Sequence, residues 1–282
     1  MIKLAKPTLS TATVYADCIS STKNPKKKAR MAACAPLIIQ AEQELDTKVT
    51  KGLVYTIAHE TLVNGNVSVD ELKYVYTGQM VDHANGRVHY DKLILSAPFD
   101  LCPLCAHRDV TTLDHYLPKA KYPRLSVVPI NLIPACKDCN TGKLMDYPKT
   151  PDEETLHPYY DDIDADRWLK MRVLQTNPIS VEFYVSRPAG WSDLLFKRVE
   201  GHFKSFGLKK LYATQAGREL VGIKKQLIGI YGKRQKQAAV KKFLLDMARS
   251  KADVHLNIWQ VVFYNGLAED NWFCNGNFQL IG

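Results

Sequence analysis

Apolar residues recur at helical spacing over much of the first hundred positions. From Pro36, a favourable first-turn residue, Leu37, Ile38, Ala41, Leu45, Val49, Leu53 and Ile57 mark one face, predicting a helix that runs to a stop at Asn64-Gly65-Asn66. Ser68 and Glu71 have capping-box spacing, and Leu72, Val75 and Tyr76 supply the apolar face of a second helix. From Leu101 to about Tyr160 the periodicity lapses, prolines become frequent and cysteines come in pairs, the texture of a small module rigidified by a ligand. Val181 to Val185 then alternates as a strand does. Three helical stripes follow: Leu195, Val199, Phe203 and Phe206, ending at Gly207; Leu220, Ile223, Leu227 and Ile230; and Val240, Phe243, Leu244 and Met247. These are core surfaces. The expectation is an α+β protein with a helical region at 1–97, a small module at 98–160 and a basic, mainly helical region at 161–282.

Composition narrows the class. The chain has 282 residues, 46% hydrophobic and 24% charged, enough to bury a sizeable core. No run approaches the roughly 18 uncharged apolar residues of a membrane helix, so no membrane span is expected. Met1 to Ser20 carries Lys3 and Lys6 and lacks a continuous apolar stretch, so no secretory signal is expected and the protein reads as cytoplasmic. Neither GxGxxG nor a Walker-type loop occurs, so no dinucleotide or ATP site is indicated.

Lysine and arginine number 38 against 29 acidic residues, a formal net charge of +9. The excess lies between Gly190 and Lys251, where Lys224, Lys225, Lys241 and Lys242 form adjacent pairs. Such a field attracts phosphate backbones and predicts a surface for nucleic acid. Solvated helix faces are the plainer alternative. The cluster Lys26-Lys27-Lys28 with Arg30 is read as a solvated helix start.

The seven cysteines do not form a disulfide framework: their number is odd, and four of them form two CxxC pairs. Cys18, Cys34 and Cys274 read as buried thiols. Cys102 with Cys105 and Cys136 with Cys139 each place two sulfurs on one tight turn, and two such turns complete a tetrahedral zinc site. A redox CxxC needs one pair beside a βαβ pattern, which is absent. Between the pairs, Val110 to His115 is a β-prone run and Ser126 to Asn131 a second extended candidate; a helix could start at Asn140. Phosphodiester cleavage requires a hard cation, a base for water and stabilisation of the leaving oxygen. Asp114 and Asn140 offer hard oxygen ligands suited to magnesium or manganese, and His115 titrates near neutrality. Lys119 and Lys143 are nearby cations that could hold phosphate. His157 could be a further ligand or phosphate contact, with a structural histidine in a proline turn as the competing reading; His107 has a weaker claim.

The runs Leu113-Asp114-His115-Tyr116-Leu117-Pro118-Lys119 and Asn131 through Lys143, with the first cysteine pair ahead of them, resemble the HNH nucleases of the ββα-metal type, in the branch braced by a four-cysteine zinc site. The match covers only 101 to 143. The resemblance implies that His115 is the general base, that Asp114 and Asn140 hold the catalytic cation, and that Asn131 holds the loop and the histidine in place. It also implies hydrolysis leaving a 5′ phosphate and a 3′ hydroxyl. DNA is the favoured substrate, with RNA such as tRNA as the alternative, and a non-catalytic zinc-knuckle binding or regulatory module remains a different class. Large helical flanks around such a module are also similar to nuclease subunits that work beside an ATPase in anti-phage systems of the Septu or retron kind.

Overall fold

The computed structural model describes residues 1–143, 147–234, 236–253 and 256–282, and it is an α+β protein of helices with small antiparallel sheets. It divides into two compact units, Ile2–Asp162 and Ile163–Gly282. Among the described residues, no helix is long and apolar enough to cross a membrane.

In the first unit, α1 (Thr11–Ser20), α2 (Pro25–Ala32) and α3 (Ala35–Lys51) precede a short hairpin of β1 (Leu62–Val63) and β2 (Val67–Ser68). α2 starts on a side-chain cap, Asn24 accepting from the Lys27 N–H, with Pro25 in the first turn. α3 buries Ile38, Ala41, Leu45 and Val49, but it ends at Lys51 rather than running on through Ile57. Gly52 takes a left-handed conformation, φ 64°, and closes the helix, so Leu53 and Ile57 belong to the loop beyond. Ser68 and Glu71 do form a capping box, which opens α4 (Val69–Tyr74). Glu71 also meets Arg30 at 2.7 Å, so part of the first basic cluster is neutralised within the unit. A π-helical turn, Val75–Met80, leads on to α5 (Ala84–Ile94).

The cysteine module follows. β3 (Thr112–His115) pairs antiparallel with β4 (Leu132–Ala135), Asp114 opposite Ile133 and His115 opposite Leu132. Helix α6 (Lys137–Lys143) packs against β3. Two expectations are corrected here. The second strand is not Ser126–Asn131, which runs from a turn after the 3-10 helix Pro123–Leu125 into the 3-10 helix Pro129–Asn131; it comes next in the chain and contains Pro134. Tyr116 N–H bonds Asn131 O, so alternate positions along the ladder are hydrogen-bonded, and the Leu113–Pro134 pair falls at a position that is not. Pro134 therefore costs the ladder no donor. The helix starts at Lys137, which puts Cys139 and Asn140 inside it.

In the second unit, β5 (Leu169–Leu174) and β6 (Ser180–Val185) form an antiparallel pair that buries Leu169, Met171, Val181 and Phe183. β5 is a strand beyond the one expected at Val181–Val185, and its buried-exposed alternation through Leu169, Lys170, Met171 and Arg172 is a strand signal. Helices α7 (Asp193–Ser205), α8 (Leu208–Tyr231), α9 (Gln237–Ala252), α10 (Trp259–Glu269) and α11 (Asn271–Cys274) complete it. α8 packs on β6 and α10 on β5 and α9. The expected stripes point inward, with Val199, Phe203, Leu220, Ile223, Leu227, Val240 and Leu244 buried. Cys18, Cys34 and Cys274 are buried too, and burial, followed by the neighbouring Asp17 charge, pushes the Cys18 thiol up to about 12, the behaviour of an inert core thiol.

Candidate functional site

The first cysteine pair sits on a turn held at its base by the Leu101–Asp109 bridge and by Cys102 N–H bonding Arg108 O at 2.8 Å. The second pair straddles a strand-to-helix junction: Cys136 follows β4, and Cys139 lies in the first turn of α6. In each turn a backbone N–H points at the sulfur, from Arg108 to Cys105 at 3.5 Å and from Cys139 to Cys136 at 3.4 Å. All four cysteines are buried, and their ligand atoms lie within 4.8 Å of one another.

A tetrahedral ion with bonds of about 2.3 Å separates its sulfurs by about 3.8 Å, and Cys105 and Cys136 are 4.0 Å apart. The cluster therefore has the spacing and donor set to hold a structural metal, and four thiolates suit zinc. Packing four thiols so closely forces them to share protons unevenly. Hydrogen bonds, first of all from Cys102, hold Cys105 far below the ordinary thiol value and lower Cys136 to about 7, while the same network pushes Cys102 and Cys139 up. A divalent cation bound there would take the place of those shared protons.

Asp114 and His115 are consecutive residues of β3, so their side chains leave opposite faces of the strand. Both are buried. His115 Nε2 lies 2.9 Å from Ser126 O. A carbonyl can only accept, so Nε2 carries the proton, and Nδ1 is the basic nitrogen of the neutral ring. Asn131 is fully buried and fastens the loop between the strands. Its Oδ1 accepts from Leu117 N–H at 2.8 Å, and its amide donates to Leu117 O at 3.0 Å and Leu125 O at 3.1 Å. Ser126, whose carbonyl accepts the His115 Nε2–H bond, follows Leu125 directly, so Asn131 holds the backbone beside the carbonyl that orients the ring.

Asn140 is partly exposed on α6, its N–H bonded to Cys136 O at 3.1 Å. Cys139 of the cysteine cluster and Asn140, the candidate cation ligand, thus share one helical turn. Lys119 is half-buried with its ammonium 5.0 Å from the Tyr76 ring centroid; burial depresses its pKa, and the Asp114 charge opposes that shift. Lys143 ends α6, and its side chain lies outside the described residues.

His157 is not placed to contact phosphate. It is fully buried, its Nε2 donates to Ile130 O at 3.1 Å, and its Nδ1 accepts from Tyr159 N–H at 3.3 Å. Both ring nitrogens tie the segment after α6 to the module, which is the structural role. His107 is partly exposed beside the first cysteine turn, and burial, then Arg108, lowers its pKa. Of the basic pairs in the second unit, Lys225 and Lys242 are exposed, whereas Lys224 bonds Ile281 O and Lys241 bonds Asn271 Oδ1 at 2.6 Å.

Sequence reasoning treated Tyr76 only as part of an apolar helix face. Its ring meets His115 edge to face, centroids 4.4 Å apart, and nothing in the local pattern signals a contact across 39 positions.

No family model matches the chain, and no solved structure matches it. The chain is 30% identical over 261 residues to Protein ea31 of Escherichia phage lambda, an alignment spanning 86% of this chain and 88% of that protein. Identity at that level over nearly the full length of both chains makes this protein a member of the phage lambda ea31 family.

Proposed function

We propose that the protein is a metal-dependent endonuclease of the HNH, ββα-metal kind that hydrolyses phosphodiester bonds, with DNA as the favoured substrate. The observation that carries the reading is the state of His115: a buried imidazole whose Nε2–H is held by Ser126 O, leaving Nδ1 as the base. It stands beside Asp114 on a strand that packs against the helix bearing Asn140.

In this mechanism His115 Nδ1 removes the proton from the attacking water, and the Ser126 carbonyl stabilises the imidazolium that results. Asn131 keeps the loop, and through it the ring, from turning. Lys119 offers a positive charge to the phosphate. Asp114 and Asn140 would hold the catalytic magnesium or manganese, oxygen donors that suit a hard cation and leave zinc to the cysteines. That cation, when bound, neutralises charge on the scissile phosphate and on the leaving 3′ oxygen. The exposed cations of the second unit, Lys225 and Lys242 among them, supply backbone attraction without base specificity. Action in the cytoplasm as a defence effector beside an ATPase subunit belongs to the same proposal and rests on the resemblance of the large helical flanks around the module.

The test is cleavage of labelled double-stranded DNA, single-stranded DNA and tRNA, with magnesium or manganese, by wild type and His115→Ala at equal zinc content. A metal-dependent product made by wild type alone supports the reading and names the substrate. Binding of these nucleic acids without cleavage by the zinc-loaded protein would favour the non-catalytic module, and cutting by His115→Ala at the wild-type rate would remove His115 as the base.

A further inference from the structure

Three interactions converge on Tyr76, which lies outside the cysteine module. Its ring packs edge to face on His115 at 4.4 Å with an interplanar angle of 74°, and the Lys119 ammonium lies 5.0 Å from the same centroid. Its hydroxyl donates to Leu113 O at 3.2 Å. Leu113 sits at a position where the β3–β4 ladder forms no hydrogen bonds, so its carbonyl points to the open edge of a two-stranded sheet. Tyr76 thus bonds the strand edge at Leu113, whose same-face neighbour two residues on is His115.

The backbone that presents the ring is unusual. Tyr76 lies in the π turn Val75–Met80, where Val81 N–H bonds Tyr76 O at 3.0 Å across five residues. Such turns are rare and gather at functional sites. This one is locked from both sides. On α5, Gly86 approaches so closely that a Cβ there would fall 2.3 Å from Gln79 O, and the Gln79 amide donates to Thr22 Oγ1 at 2.6 Å. A ring that only filled core would not need a rare helical turn braced by backbone-to-backbone contact.

We propose that Tyr76 is a positioning residue for His115, its ring fixing the imidazole in the orientation that sends Nε2–H to Ser126 O while it also seats Lys119. The catalytic consequence rests on the nuclease reading; the orientation does not.

The experiment follows the His115 ring nitrogens by ¹⁵N NMR in the zinc-loaded full chain, in wild type, Tyr76→Phe, Tyr76→Leu and Tyr76→Met. Wild type should show the single Nε2–H tautomer. Tyr76→Phe keeps the ring and should keep that tautomer. Tyr76→Leu and Tyr76→Met should show both tautomers and, where wild type cuts, a kcat about tenfold or more lower with KM little changed, since misplacing a reacting group by about 1 Å costs on the order of 100-fold. A single Nε2–H tautomer in any folded non-aromatic variant would overturn the proposal. So would mixed tautomers in Tyr76→Phe, which tests the ring even if the smaller side chains fail to fold. If wild type cuts nothing, the nuclease reading fails and the tautomer comparison still decides whether Tyr76 positions His115.

Discussion

Arg108 Nε lies 2.9 Å from Asp138 Oδ2, joining the first cysteine turn to the helix that carries the second. The nearby thiolates, after the Asp138 carboxylate, hold the Arg108 pKa up against burial, so the guanidinium acts as counter-charge to the sulfurs as well as a clamp. Partners just outside the ligand shell tune metal retention by about 10-fold to 100-fold, and the partial exposure of this pair puts it at the low end. Arg108→Ala should release zinc to a chromogenic chelator several-fold faster than wild type. Asp138→Ala should do less, because Arg108 then remains beside the sulfurs. Equal release rates in all three proteins would leave the pair without a role in holding metal.

Asn131 should be among the least replaceable residues. Asn131→Ala takes the side-chain partner from the buried Leu117 N–H and Leu117 O, and one of two donors from Leu125 O, which keeps the Val128 N–H; at about 1–3 kcal/mol for an orphaned group, a loss of about 2 kcal/mol or more is expected in urea unfolding. Asn131→Asp keeps the acceptor for Leu117 N–H but turns the amide toward Leu117 O and Leu125 O into an oxygen, and should be at least as damaging.

Glu71 should make stability pH-dependent on the acid side. Burial raises its pKa, but the Ser68 N–H and the Arg30 guanidinium outweigh that and hold the carboxyl below its ordinary value. A group depressed in the folded state contributes stability that is complete above its unfolded pKa and is lost as pH falls through the folded value. Glu71→Gln should therefore be destabilised at neutral pH, by about 1 kcal/mol on the scale of a helix cap, and should converge on wild type as the pH drops below the carboxylate range. Thermal melts of the two proteins at neutral and acid pH provide the check.

Charge reversal in the second unit should separate exposed lysines from engaged ones. Each phosphate contact contributes about 0.9 to the slope of log affinity against log salt for duplex DNA. Lys225→Glu and Lys242→Glu should each flatten that slope, whereas Lys241→Gln, whose parent side chain already bonds Asn271, should change it little. An unchanged slope in the double reversal would remove the second unit from nucleic-acid binding.

Local signals were legible where a few neighbouring residues sufficed. The Ser68–Glu71 capping box, the stripes of α7, α8 and α9 and the pairing of the four cysteines all depend on spacings shorter than two helical turns or on the chemistry of one residue type. Errors arose where one backbone conformation decided. Gly52 ended α3 in the left-handed region while the apolar spacing continued past it, and Pro134 hid a strand because its tolerance depends on which partner it faces.

By itself, then, the sequence determined that two cysteine turns would bracket an Asp-His pair, since ligand chemistry and adjacency are properties of the chain. Only the tertiary structure decided which nitrogen of His115 is basic, that Asn131 anchors the loop, that His157 is structural, and that Tyr76 reaches the ring from a π turn. Each of those depends on a partner brought from a distant position by packing, and no local periodicity encodes the partner of a buried polar group.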